Sequence, residues 1–84
     1  MQGYCEICHK WTALEVHHVF NGAFRKKSEQ YGAVVEICRE CHDDLHHHHP
    51  AKYVWLKREW QDKLMAWNEW TEDDFIREFG RNYL

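Results

Sequence analysis

Four cysteines and four histidines in this chain have the types and spacing of metal ligands. They are Cys5-x-x-Cys8, the pair His17-His18, Cys38-x-x-Cys41 running directly into His42, and His46. Four thiolates close a tetrahedral zinc site with no open position, which is the structural kind. Three imidazoles leave positions open for water or phosphate, which is the reactive kind. His42 and His46 are four apart, so a helix would put both on one face. One histidine of the pair 17–18 would complete a set of three nitrogens. Such a set suits zinc, nickel, cobalt, copper or iron better than magnesium. Neighbours on a strand point to opposite faces. The other histidine of the pair would therefore stand beside the ion, unbound and able to act as a general base.

The cysteines have a second reading, as two disulfides. Met1-Gln2-Gly3-Tyr4 leads at once into the first cysteine pair, with none of the features of a signal peptide. No apolar run approaches membrane-spanning length. Both points favour a reducing cytoplasm, and so zinc at Cys5, Cys8, Cys38 and Cys41 over cystines. A structural zinc can supply about 10 kcal/mol or more of apparent folding free energy, comparable to the whole stability of a small domain. The chain of 84 residues is one domain by length and needs such a staple. Without metal it is expected to be largely unfolded around the knuckles.

The elements that must position these residues follow from pattern. Residues 1–13 read as a zinc knuckle with little regular structure. Leu14 to Phe20 is apolar and β-branched and predicts a short strand, and Asn21-Gly22 predicts a turn. Residues 23–32 read as a polar, basic loop with at most one helical turn. Val34-Val35-Glu36-Ile37 predicts a second strand, antiparallel to the first. A helix is expected from Cys38 to His48, with Leu45 packing on the hairpin. The run His46 to His49 is internal and precedes Pro50, so it reads as native sequence, with only His46 in helical phase with His42. His9, His47, His48 and His49 read as exposed.

Pro50 suits the first turn of a new helix. Tyr53, Leu56, Trp60, Leu64 and Trp67 recur at three- and four-residue steps, predicting an amphipathic helix of about 17 residues. Thr71 to Asp74 resembles a capping box before Phe75, Ile76 and Phe79, and Gly80 is the expected C-terminal cap. The aromatic stripe reads as core packing, with a base-stacking platform as its rival. The fold expected is thus small α+β: a metal-bound ββα unit stapled by a four-cysteine zinc site over residues 1–48, followed by two C-terminal helices over 49–84 that pack on it.

The net charge of −3 gives no general attraction to nucleic acid, and loading two divalent ions on four thiolates leaves it unchanged. Contacts to phosphate would have to come from a local patch, and Arg25-Lys26-Lys27 is the best candidate. Taken alone, three adjacent cations read as a solvated loop.

His17-His18, a loop, a second strand, and a helix with His42-x-x-x-His46 resemble the ββα-metal fold of HNH (His-Me finger) endonucleases. The two CxxC pairs resemble the zinc-stabilised branch of that superfamily, and the core likeness covers about residues 5–48. The segment from His17 to Gly32, with the ending Phe79 to Leu84, is also similar to small HNH-type proteins of phages and prophages. The resemblance implies a metal-dependent phosphodiesterase acting on DNA. His17, His42 and His46 would hold the divalent metal (Mg²⁺, Mn²⁺, Ni²⁺ or Zn²⁺), and His18 would be the general base. Arg25 and Lys26, with Lys27, would grip phosphates. It further implies a bacterial or prophage-encoded cytoplasmic protein, with a homodimer or a larger phage assembly as candidate forms. No recognition helix or repeated finger is visible to read bases, so nicking or cleavage with little sequence preference is expected. The family's asparagine, which helps orient the base, falls at Ala33 here. Asn21 is the expected substitute from the turn, and Glu36 is a second polar candidate. Two readings from other classes stand beside this one: a non-catalytic zinc-ribbon module that binds DNA or an adaptor partner, and a protein-docking domain built on the aromatic helices.

Overall fold

The computed structural model describes residues 1–84. The protein is a small compact α+β unit, a three-stranded antiparallel sheet with four helices. The strands are β1 (Gln2–Tyr4), β2 (Trp11–His18) and β3 (Val34–Cys38), in spatial order β1-β2-β3. The helices are α1 (Arg25–Gln30), α2 (Arg39–Asp43), α3 (Val54–Asn68) and α4 (Glu72–Phe79). No helix is long and apolar enough to cross a membrane.

The first knuckle is more regular than its sequence suggests. Tyr4 pairs with Trp11 and Gln2 with Ala13, so β1 and β2 form a hairpin around the Cys5–Cys8 turn. Its reversal needs His9 at φ 67°, and His9 donates its amide to the Cys5 carbonyl at 2.9 Å. The central pairing is as expected: β2 and β3 are antiparallel, with His17 opposite Val35 and Leu14 opposite Cys38. This register places the end of β3 beside the start of α2. Cys38 caps α2, its Sγ accepting the Cys41 amide at 3.4 Å.

The loop between β2 and β3 is also more ordered than its polar composition implies. A 3₁₀ turn (Gly22–Phe24) leads into α1. The buried Ser28 braces this excursion. Its hydroxyl donates to the Ala33 carbonyl at 2.6 Å and accepts the Phe20 amide at 3.2 Å, joining the two strand ends. Ala33 itself is fully buried.

After α2 the chain widens into a π turn (Asp44–His48), closed by the His49 amide on the Asp44 carbonyl at 2.7 Å. The expected single helix over 38–48 is therefore two segments of different winding. Pro50 opens a 3₁₀ turn (Pro50–Tyr53) that runs into α3. The capping box forms as read. Asp74 donates its amide to Thr71 Oγ1 at 3.2 Å, and Thr71 donates its amide to Asp74 Oδ2 at 2.9 Å. Gly80 ends α4 at φ 83°.

One core joins both halves of the chain. Val19, Phe20, Val35 and Ile37 from the sheet side meet Leu56, Leu64, Phe75 and Phe79 from the helices. Phe20 contacts Phe75 and Phe79 with ring centroids 5.4 and 4.6 Å apart. The aromatic stripe is only partly core. Tyr53, Leu56 and Leu64 are buried, but Trp67 is exposed and meets Trp60 edge-on at the surface. The periodicity of α3 outruns the surface it packs against.

Candidate metal centre

Strand alternation sets the first half of the site. Glu15 and His17 are two apart on β2 and share a face, and that face lies under α2. His17 is 2% exposed. Its ring centroid is 5.2 Å from those of both His42 and His46. The His42 and His46 rings are 4.8 Å apart. Ligand nitrogens of all three lie within 4.8 Å of one another. The strand thus supplies one imidazole, and α2 with its π turn supplies two from a single side.

Burial and mutual repulsion disfavour the charged form of two of the three imidazoles. Burial, and then the neighbouring imidazoles His42 and His46, push His17 down to about 4. Burial also lowers His46. A neutral imidazole carries the lone pair that a metal needs. Glu15 supplies the orienting contact: its Oε1 accepts a hydrogen bond from His42 Nδ1 at 2.8 Å, leaving Nε2 as the free donor atom. Arg39 holds Glu15 from the other side at 3.3 Å. Carboxylate–imidazole pairs of this kind fix ring orientation and raise ligand basicity.

The four cysteines form a second cluster, close together and with no disulfide. Cys8 and Cys38 sulfurs are 3.8 Å apart. A tetrahedron with Zn–S bonds of about 2.3 Å has an edge of about 3.8 Å. Cys5 Sγ accepts the amides of Ile7 and Cys8, each at 3.4 Å. Burial works to raise the Cys5 thiol, but amide hydrogen bonds from Cys38, Cys8 and Ile7 bring it down to about 6. Burial pushes Cys38 and Cys41 up instead. Four sulfurs this close cannot all ionise without a cation among them. The donor set, its spacing and its amide support fit a structural zinc, and these four residues could hold it. Cys41 is followed by His42, so the sulfur cluster anchors α2, which carries His42 and leads into the π turn that carries His46.

The remaining expected site residues divide. His18 and Asn21 line a cleft shared with His17, His42, His46 and Arg25. His18 is the last residue of β2, and its side chain is 13% exposed. Its Nε2 lies 3.6 Å from Glu29 Oε2 of α1. Asn21 precedes the 3₁₀ turn without capping it through its side chain. Glu36, paired with Val16 on β3, does not line the cleft. Of the three cations, only Arg25 lines it. Lys27 donates to Glu78 Oε2 at 3.0 Å and ties α1 to α4. Lys26 is exposed and away from the cleft.

Glu15 and Glu29 escaped the reading of the sequence. Glu15 carried a signal, since it sits two positions before His17 on the same strand face. Glu29 carried none, because only the folding of α1 against the strand end brings it to His18. Searches of protein-family models, curated proteins and solved structures found no match to this chain.

Proposed function

We propose that the protein is a small metal-dependent endonuclease of the HNH, ββα-metal type, hydrolysing phosphodiester bonds in DNA. One observation carries this reading. The ligand nitrogens of three imidazoles lie within 4.8 Å of one another, and a fourth imidazole, His18, lines the same cleft with Arg25. Such a set leaves coordination positions free, unlike the closed sulfur cluster.

His17, His42 and His46 would hold the ion, and Cys5, Cys8, Cys38 and Cys41 the structural zinc. A divalent ion at the imidazoles supplies Lewis-acid stabilisation of the charge that grows on the phosphoryl and leaving oxygens. His18 takes a proton from water, and the water oxygen attacks phosphorus in line. The P–O bond to the departing sugar oxygen breaks as the new one forms. Glu29 Oε2 stands 3.6 Å from His18 Nε2 and orients the base. Arg25 meets a phosphate at the rim of the cleft. The family's asparagine would fall on Ala33, inside the core. Here the hydroxyl of Ser28 ties the strand ends, and Glu29 and Asn21 are the polar groups left near the base.

Supercoiled plasmid tests this directly, with the zinc-loaded protein and added Mg²⁺, Mn²⁺, Ni²⁺ or Zn²⁺. Nicking is expected with at least one ion. The His18→Ala variant should lose about 10²-fold or more of the rate with its zinc content unchanged. DNA binding without cleavage under any ion would instead favour a zinc-ribbon adaptor, the reading that alanine at position 33 in place of the family's asparagine motivates.

A further inference from the structure

A second cleft lies on the other side of the imidazoles. It measures about 380 Å³ and shares His17, His46 and Asn21 with the first. That size is within the roughly 300–1,000 Å³ of small-molecule pockets. Its far wall comes from α3 and the C-terminal segment, which nothing in the nuclease reading uses. Lys57 and Arg81 both line it. Neither makes an ion pair with any carboxylate, although most other cations near the helices do. Both sit over one ring, Lys57 Nζ at 5.4 Å and the Arg81 guanidinium at 4.9 Å from the Tyr83 centroid.

This arrangement is built rather than frayed. Gln61, fully buried in α3, donates to Asn82 Oδ1 at 2.7 Å and accepts the Tyr83 amide at 2.8 Å. Arg58 donates to the Tyr83 carbonyl at 2.9 Å. The segment carrying Arg81 is thereby fastened to the helix carrying Lys57. Burial, and then Arg81, lower the Lys57 ammonium. Two cations held together without a counter-anion are a site that an anion would relieve. Beside them, Pro50, Ala51 and Val54 form an apolar wall open to solvent.

We propose that this cleft takes an unpaired nucleotide adjoining the reacting phosphodiester, its phosphate between Lys57 and Arg81 and its base on the apolar wall. The proposal rests on the nuclease reading and deepens it. It makes single-stranded, gapped or frayed DNA the preferred substrate class. A base stacked inside a duplex reaches a side cleft only by flipping out, at an energetic cost that an unpaired base avoids. Phosphate next to an apolar patch is also the amphiphilic pattern of a nucleotide, whereas a bare anion would need no such wall.

Fluorescence anisotropy with His18→Ala protein tests the cleft without turnover. The probes are a labelled single-stranded oligodeoxynucleotide and the same strand in a duplex. The single strand should bind about tenfold tighter or more. Lys57→Gln and Arg81→Gln should each weaken it about three- to tenfold, and lower its salt slope by about 0.7 per lost phosphate contact. Arg81→Lys should retain most of the affinity. Lys63→Gln, which removes a charge paired with Glu59 elsewhere on α3, should change little. Equal affinity for strand and duplex would overturn the proposal. So would Lys57 and Arg81 variants that behave like Lys63→Gln. If wild-type protein cleaves neither plasmid nor the single strand with any of the ions while strand binding depends on Lys57 and Arg81, hydrolysis is wrong and the cleft stands. If nicking succeeds and these variants bind normally, the cleft is wrong and hydrolysis stands.

Discussion

Glu15 accepts a hydrogen bond from His42 and is itself held by Arg39, so its removal should be felt at the ion rather than in the fold. Glu15→Ala is expected to weaken Ni²⁺ or Zn²⁺ binding at the imidazoles about 10- to 100-fold, the usual cost of losing an orienting carboxylate. Isothermal titration of protein already loaded at the cysteines measures this, and the melting temperature should move little. His17 makes a different prediction, about pH. Its folded value of about 4 lies below the ordinary 6.5. The folded state therefore binds fewer protons than the unfolded one, and its stability falls as pH drops from about 6.5 towards 4. By pH 5 the contribution is about 2 kcal/mol. Removing the ring in His17→Leu cancels that term. Denaturant melts at pH 7 and pH 5 should show wild type losing about 2 kcal/mol more than His17→Leu. Thiolate protonation acts on both proteins alike and drops out of the difference. A constant gap between the two would mean that His17 does not resist protonation in the fold.

At the scale of elements, the ends of helices carry much of the specification. Gly80 closes α4 at φ 83°, where a side chain is strained, and a Cβ there would lie 2.6 Å from Cζ of Phe24. Gly80→Ala should cost about 2–4 kcal/mol, from the left-handed backbone and from overpacking. Only the second part depends on the Phe24 ring. In a double-mutant cycle read by denaturant melts, Phe24→Leu should recover that part and leave about 1–2 kcal/mol. Additive losses would show that Phe24 moves aside freely. The Gly80 cap and the Thr71–Asp74 box were legible because capping is local chemistry. So was the pairing of Val34–Ile37 with the strand before it, since both runs are β-branched and bounded by turn residues. The hairpin inside residues 1–13 was hidden, because Gln2, Gly3 and Tyr4 show no strand pattern and form one only by pairing with β2. The wide turn at Asp44–His48 was hidden for another reason: a histidine run carries no marker that separates α from π winding. The imidazole cluster survives that difference, since both windings bring His42 and His46 to the same side. The clefts follow the same logic. His17, His42 and His46 were findable from spacing, whereas Lys57 and Arg81 meet only through the buried Gln61 that links α3 to the chain end.

Over the whole molecule, one residue joins the two clusters. Cys38 ends β3, caps α2 and belongs to the sulfur quartet. Its neighbour by cluster, Cys41, precedes His42. If the quartet holds zinc, that ion sets the angle at which α2 leaves the sheet, and so where two imidazoles point. The same sheet face carries Val35 and Ile37 into the core shared with Phe75 and Phe79, so the helical half has little to pack on once the hairpin opens. A chain of this size has few apolar contacts in reserve, and zinc worth about 10 kcal/mol or more is comparable to its entire stability. Cys38→Ser, or a strong chelator applied to wild type, should therefore remove metal from both clusters together. Far-ultraviolet circular dichroism should fall in α3 and α4 as well as around the knuckles. Metal content by atomic emission, with Ni²⁺ titration of the imidazoles, reads the coupling. Native Ni²⁺ affinity in Cys38→Ser would contradict it, because the imidazole site would then be assembled by the strands and the aromatic core alone. Wild-type helicity after chelation would place the stability in that core and reduce the sulfur quartet to a local clip.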